Sequence, residues 1–86
     1  MGRRRVSKTD WSRAERFGRA LQALRTGRST TQAQLATQSG VSVDTIRKLE
    51  RGGVAYPALF IVSAVVRELE GSLDELVSAV EGSARD

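Results

Sequence analysis

Apolar residues recur along this chain at three- and four-residue intervals rather than with the two-residue alternation of a half-buried strand. Ala14, Phe17, Leu21 and Leu24 mark the inner face of a first helix over 11–26, which Ser12 with Glu15 opens as a capping box and Gly27 ends. Thr31 with Gln34 opens a short second helix over 32–38 that stops near Gly40. Ser42 caps a third over 43–51, closed by Gly52 and Gly53. Pro57 suits the first turn of a fourth over 57–69, whose inner face is Leu59, Val62, Val66 and Leu69. Ser72 with Glu75 begins a fifth over 73–81, apolar at Leu73, Leu76, Val77 and Val80. The pattern predicts an all-α fold of five helices, with no strand and no internal repeat.

The third helix has two faces. In GVSVDTIRKLERG, laid out at about 100° per residue, Thr45, Ile46 and Leu49 fall on one side, while Val43, Asp44, Arg47, Lys48 and Arg51 fall on the other. The first face belongs to a core. The second is built for a polar surface.

Charge says what kind of surface. The net charge is +4, but residues 1–28 hold nine Arg or Lys against Asp10 and Glu15, a balance of +7, while residues 54–86 carry a balance of −4. A polyanion would meet the N-terminal part. The stretch MGRRRVSKT has almost nothing apolar, so residues 1–10 are expected to form a basic flexible arm, 11–82 the folded domain and 83–86 a tail.

Composition removes other classes. With 86 residues the chain is expected to form one small domain, without room for a separate sensor or catalytic domain. There is no Cys and no His, so disulfides and the usual transition-metal ligands are excluded, and no cofactor is expected. Catalysis would have to rest on Ser, Lys and carboxylates, with no glycine-rich phosphate loop and no paired-carboxylate signature, so an enzyme is not expected. No apolar run long enough to span a membrane occurs, and the basic N-terminus is not followed by an apolar stretch, which points to the cytoplasm.

A short helix, a tight turn at Gly40 and a helix with a basic outer face is the arrangement that presents one helix to the DNA major groove. The stretch LQALRTGRSTTQAQLATQSGVSVDTIRKLERG, followed by Pro57 and SLDEL, resembles the phage-repressor and Cro-type helix-turn-helix proteins, the XRE family, over about 17–77. The resemblance rests on Gln32, Leu35, Ala36, Gly40, Val41, Ser42, Ile46, Leu49, Glu50, Gly52, Pro57, Leu69, Ser72, Leu73 and Leu76. It implies a compact five-helix DNA-binding domain with the motif formed by helices 2 and 3. Thr30 and Ser39 depart from the family's apolar pattern, and the loop GGVAYP lacks its frequent basic residues.

The resemblance also implies roles. Val43, Asp44 and Lys48 take the positions that read base edges. Gln32, assisted by Thr31, would bond a phosphate at the start of the second helix. Ser42, Thr45, Arg47 and Arg51 would reach sugar or phosphate, with Arg3, Arg4 and Arg5 of the arm following the backbone or entering the minor groove. Asp44 either accepts a hydrogen bond from cytosine N4 or rejects other sequences. Arg25 and Glu50 match an Arg and a Glu that pair structurally in the family. Phe60, Ile61 and Ala64 exceed what one core face of the fourth helix needs, which suggests a dimer surface, unless Trp11 covers it within one monomer.

The expected function is a sequence-specific regulator of transcription, a repressor that binds double-stranded DNA as a homodimer. The alternative is a protein-interaction module or antitoxin of the same fold, whose main partner is another protein.

Overall fold

The computed structural model of the chain describes residues 6–71 and 73–82, and its first helix opens one turn earlier than the apolar pattern predicts. Helix α1 runs Lys8–Gly27, α2 Gln32–Ser39, α3 Val43–Glu50, α4 Leu59–Glu68 and α5 Leu73–Gly82, and no strand occurs among the described residues. Two capping boxes compete at the start of α1, Ser7 with Asp10 and Ser12 with Glu15. Ser7 prevails: its hydroxyl accepts from the Asp10 amide and Asp10 Oδ2 accepts from the Ser7 amide, both at 3.1 Å. Asp10 is buried, and the same Oδ2 accepts from the Tyr56 hydroxyl at 2.7 Å. A tertiary bond to the earlier box therefore decides the helix start, and residues 8–10 belong to α1 rather than to an arm. Residues 1–5 and 83–86, which include Arg3, Arg4, Arg5 and the expected tail, lie outside the described residues, as does the expected cap Ser72.

The buried apolar side chains form a single core to which every helix contributes. Leu21 of α1, Leu35 of α2, Ile46 and Leu49 of α3 and Val65 of α4 are fully buried with Leu69, and Leu76 and Val80 of α5 close the cluster. Each fully buried aliphatic side chain contributes roughly 1.5–3 kcal/mol. Helix α2 has one such anchor, Leu35, so its place depends strongly on that residue.

Helix α4 departs most from its pattern. It begins at Leu59, with Ala58 in the N-cap position and no side-chain cap, so Pro57 precedes the helix instead of opening it. The Tyr56–Asp10 bond holds the preceding chain against α1, and a residue before proline disfavours helical geometry. The inward face is Val62, Val65 and Val66, while Leu59 is 60% exposed. In α5, Leu76 and Val80 face inward and Val77 is exposed; the side chains of Leu73 and Glu75 lie outside the described residues.

Three helices end by the same hydrogen-bond pattern, in which the last turn folds back on itself. After α3, the Gly53 amide reaches Lys48 O at 2.8 Å and the Gly52 amide reaches Leu49 O at 3.1 Å, with Gly52 left-handed at φ 76°. Arg51 is thereby the cap of α3 rather than its last residue. After α1 and α4 the left-handed position is filled by Ser29 and Glu70, at φ 55° and 53°. The turn between α2 and α3 is made by Gly40, at φ 77°, and by Ser39, whose hydroxyl accepts from the Val41 amide at 3.2 Å. That bond explains how a polar residue serves where an apolar one is usual.

Candidate nucleic-acid interface

The candidate surface is built on the starts of the two helices joined by the Gly40 turn. Thr31 and Gln34 close a reciprocal capping box on α2, the Gln34 amide donating to Thr31 Oγ at 3.0 Å and the Thr31 amide to Gln34 Oε1 at 2.9 Å. The Thr31 oxygen acts only as acceptor there, which leaves its O–H to donate outward. The first turns of α1 and α3 carry Asp10 and Asp44, but that of α2 carries no acid. The positive end of α2 is therefore not neutralised from within, as suits a phosphate.

On α3, Ser42 uses its hydroxyl twice, accepting from the Thr45 amide at 3.1 Å and donating to Thr45 Oγ at 2.9 Å. The hydroxyl hydrogen still available is thus that of Thr45. Ile46 and Leu49 are buried, Val43 and Thr45 are half-buried, and Asp44, Arg47, Lys48 and Arg51 are exposed. Arg47 Nη1 lies 3.4 Å from Asp44 Oδ1, so the Asp44 carboxylate has a partner on this face.

What fixes α3 in place is a buried polar network. Arg25 of α1 donates to Glu50 through Nε at 2.6 Å and Nη2 at 2.9 Å, and through Nη1 to the Thr30 carbonyl at 2.8 Å. Gln32 Nε2 donates to Glu50 Oε1 at 2.9 Å. The Arg25 pKa is pushed up, first by its hydrogen bond to Glu50 and against the effect of burial. One carboxylate thereby joins the end of α1, the start of α2 and the end of α3. Gln32 spends one amide hydrogen inside this network and keeps the other.

Two residues of the scaffold, Gly18 and Tyr56, were not singled out by the sequence. A Cβ at Gly18 would overlap the carbonyl oxygens of Leu49 and Glu50, and one at Gly52 would lie 3.0 Å from Glu15 Cα. The end of α3 therefore rests directly on the backbone of α1. A glycine inside the apolar stripe between Phe17 and Leu21 is the signal that announces such an approach. Tyr56 gives no comparable local signal, since its partner Asp10 is 46 positions away.

Among the apolar residues of α4 and its neighbours, Phe60 is 85% exposed, with Leu59, Tyr56 and Val77 also exposed. Ile61 packs partly against the core and Ala64 is half-buried. Trp11, itself 43% exposed, does not cover Phe60. Beside them lies a cleft of about 380 Å³ walled by Ala14, Phe17, Leu59, Val77 and Val80.

Comparison with known proteins places this geometry. The helix-turn-helix family model matches residues 21–76. The chain is also 40% identical over 65 residues to the HTH-type transcriptional activator BcrR of Enterococcus faecalis, a match covering 76% of this chain and 31% of BcrR. It thus spans about a third of that relative's length.

Proposed function

The chain belongs to the XRE helix-turn-helix family, and from that premise we propose that it regulates transcription by binding specific double-stranded DNA sequences as a homodimer, with α3 in the major groove of each half-site. The observation that carries this reading is the division of α3: Ile46 and Leu49 are buried, while Asp44, Arg47, Lys48 and Arg51 are exposed beside the acid-free start of α2. Val43, Asp44 and Lys48 read bases. Thr31, the second amide hydrogen of Gln32, Thr45 and Arg51 hold the backbone, and Arg3, Arg4 and Arg5 extend the track of positive charge. Ser42 serves mainly to order Thr45.

The exposed apolar group at Phe60 supplies the surface for a second copy. A small dimer acts in the cytoplasm by occupying an operator, and occupation alone blocks a promoter; the relative BcrR is named an activator, so a reporter with the operator at varied positions decides the sign. The same apolar group also favours a second reading, in which another protein is the main partner.

The test is selection of bound sequences from a random duplex pool. A palindromic consensus, with half-sites about 34 Å or a multiple of it apart, supports the reading. Failure to retain any DNA at low salt overturns it and moves the protein-partner reading ahead.

A further inference from the structure

We propose that Asp44 and Arg47 act as one unit that reads a single C·G base pair, an inference that rests on the DNA-reading role of α3 proposed above. The two side chains stand one turn apart on α3, Arg47 Nη1 donating to Asp44 Oδ1 at 3.4 Å. Arg47 remains 58% exposed and Asp44 80%. A pair this exposed adds little to the stability of the free protein, so its use lies in what it presents. A carboxylate has two oxygens and a guanidinium five N–H groups. One contact on Oδ1 leaves Oδ2 as an acceptor beside several directed donors.

A C·G pair presents the complementary set in the major groove, with the N7 and O6 acceptors of guanine adjacent and the cytosine N4 donor next to them. The guanidinium fork matches two adjacent acceptors, and Oδ2 then meets the amino group. An A·T pair separates its two acceptors by the adenine amino group, so the same unit satisfies only part of that edge.

Charge supports the assignment. A lone carboxylate on this face is repelled by phosphate, whereas the pair has no net charge. Asp44 is also the second residue of α3, beside the positive end of the helix dipole. Lys48, one turn further and exposed, remains an independent donor to guanine. Arg47 thereby becomes a base-reading residue rather than a sugar or phosphate contact.

The test is sequence selection with the full chain and with Asp44→Ala, Arg47→Ala and Arg47→Lys, followed by titration of duplexes carrying each of the four pairs at the affected position. All these positions are exposed, so folding is not at stake. The unmodified chain should prefer C·G at one position per half-site by roughly 5- to 150-fold. Asp44→Ala and Arg47→Ala should each erase that preference at the same position and leave the others in place. Arg47→Lys, which keeps the charge and loses the fork, should erase it as well. The proposal is overturned if Arg47→Ala weakens all sequences alike, or if the two alanine variants change different positions. An unmodified chain that selects no sequence overturns the DNA-reading role of α3 itself, and that result is known before any variant is made.

Discussion

Arg25 and Glu50 meet through two parallel hydrogen bonds of 2.6 and 2.9 Å, with side chains only 10% and 5% exposed. Glu50 also receives Gln32, so removing it strands an Arg in the core and frees the start of α2. Glu50→Ala should cost about 3 to 5 kcal/mol, the usual consequence of breaking a buried pair from one side. In a domain of this size that lowers Tm by more than about 10 °C. Glu50→Gln should lose less, because the amide oxygen still accepts from Arg25. Thermal unfolding checks both. Unchanged Tm with lost DNA binding would make Glu50 a direct contact instead.

Gly18→Ala inverts the usual rule for helices. In an exposed helix interior alanine is favoured over glycine by about 1 kcal/mol. Here the added methyl group meets main-chain oxygens of Leu49 and Glu50, which cannot rotate away. The variant should be destabilised by about 1 to 3 kcal/mol, as overpacked cores are. Any survivor should bind DNA more weakly, because α3 is pushed off α1. A melting temperature equal to or above that of the unmodified chain would show that the two backbones are not in contact.

What the sequence made legible follows the physics of each element. Leu21, Leu35, Ile46 and Leu49 stand out because helical spacing is a local property, and Gly40 because its left-handed turn leaves few alternatives. The start of α1 was hidden because Ser7 and Ser12 offer equivalent boxes, and the choice rests on Tyr56, far along the chain. Leu59 was misplaced for a related reason: a loop pinned from outside starts α4 two residues after Pro57, which leaves Leu59 at the exposed first position of the helix while Val65 joins Val62 and Val66 on the inward face. On the proposed DNA-facing side, exposure was readable from periodicity, but the Arg47–Asp44 contact was not, since Lys48, four residues on from Asp44, was as good a helical partner as Arg47, three residues on.

Binding should depend steeply on salt, by about 0.9 in the slope of log K against log salt for each phosphate neutralised. Removing residues 1–5 should flatten that slope and leave the selected sequence unchanged, since the arm supplies charge and no directed base contact. The cut must stop there. Removing residues 1–8 also deletes Ser7, and loss of an N-cap costs about 1 kcal/mol, so Tm should fall in the longer deletion and hold in the shorter. An identical slope with and without residues 1–5 would mean that the arm does not touch DNA.

The proposed dimer surface gives a prediction in which two neighbouring residues behave differently. Phe60 is 85% exposed, so Phe60→Glu removes an apolar side chain from water and should leave the monomer's Tm unchanged or raise it slightly. Ile61 packs partly on the core, so Ile61→Glu buries a charge and should lower Tm by several degrees whatever the oligomeric state. Only Phe60→Glu therefore reports cleanly on association. Sedimentation at rising concentration should show self-association of the unmodified chain and a monomer for Phe60→Glu. On a palindromic operator the variant should occupy half-sites independently, with weaker overall affinity but the same base preference in each half. If the unmodified chain stays monomeric at high concentration and on the operator, Phe60 serves another partner.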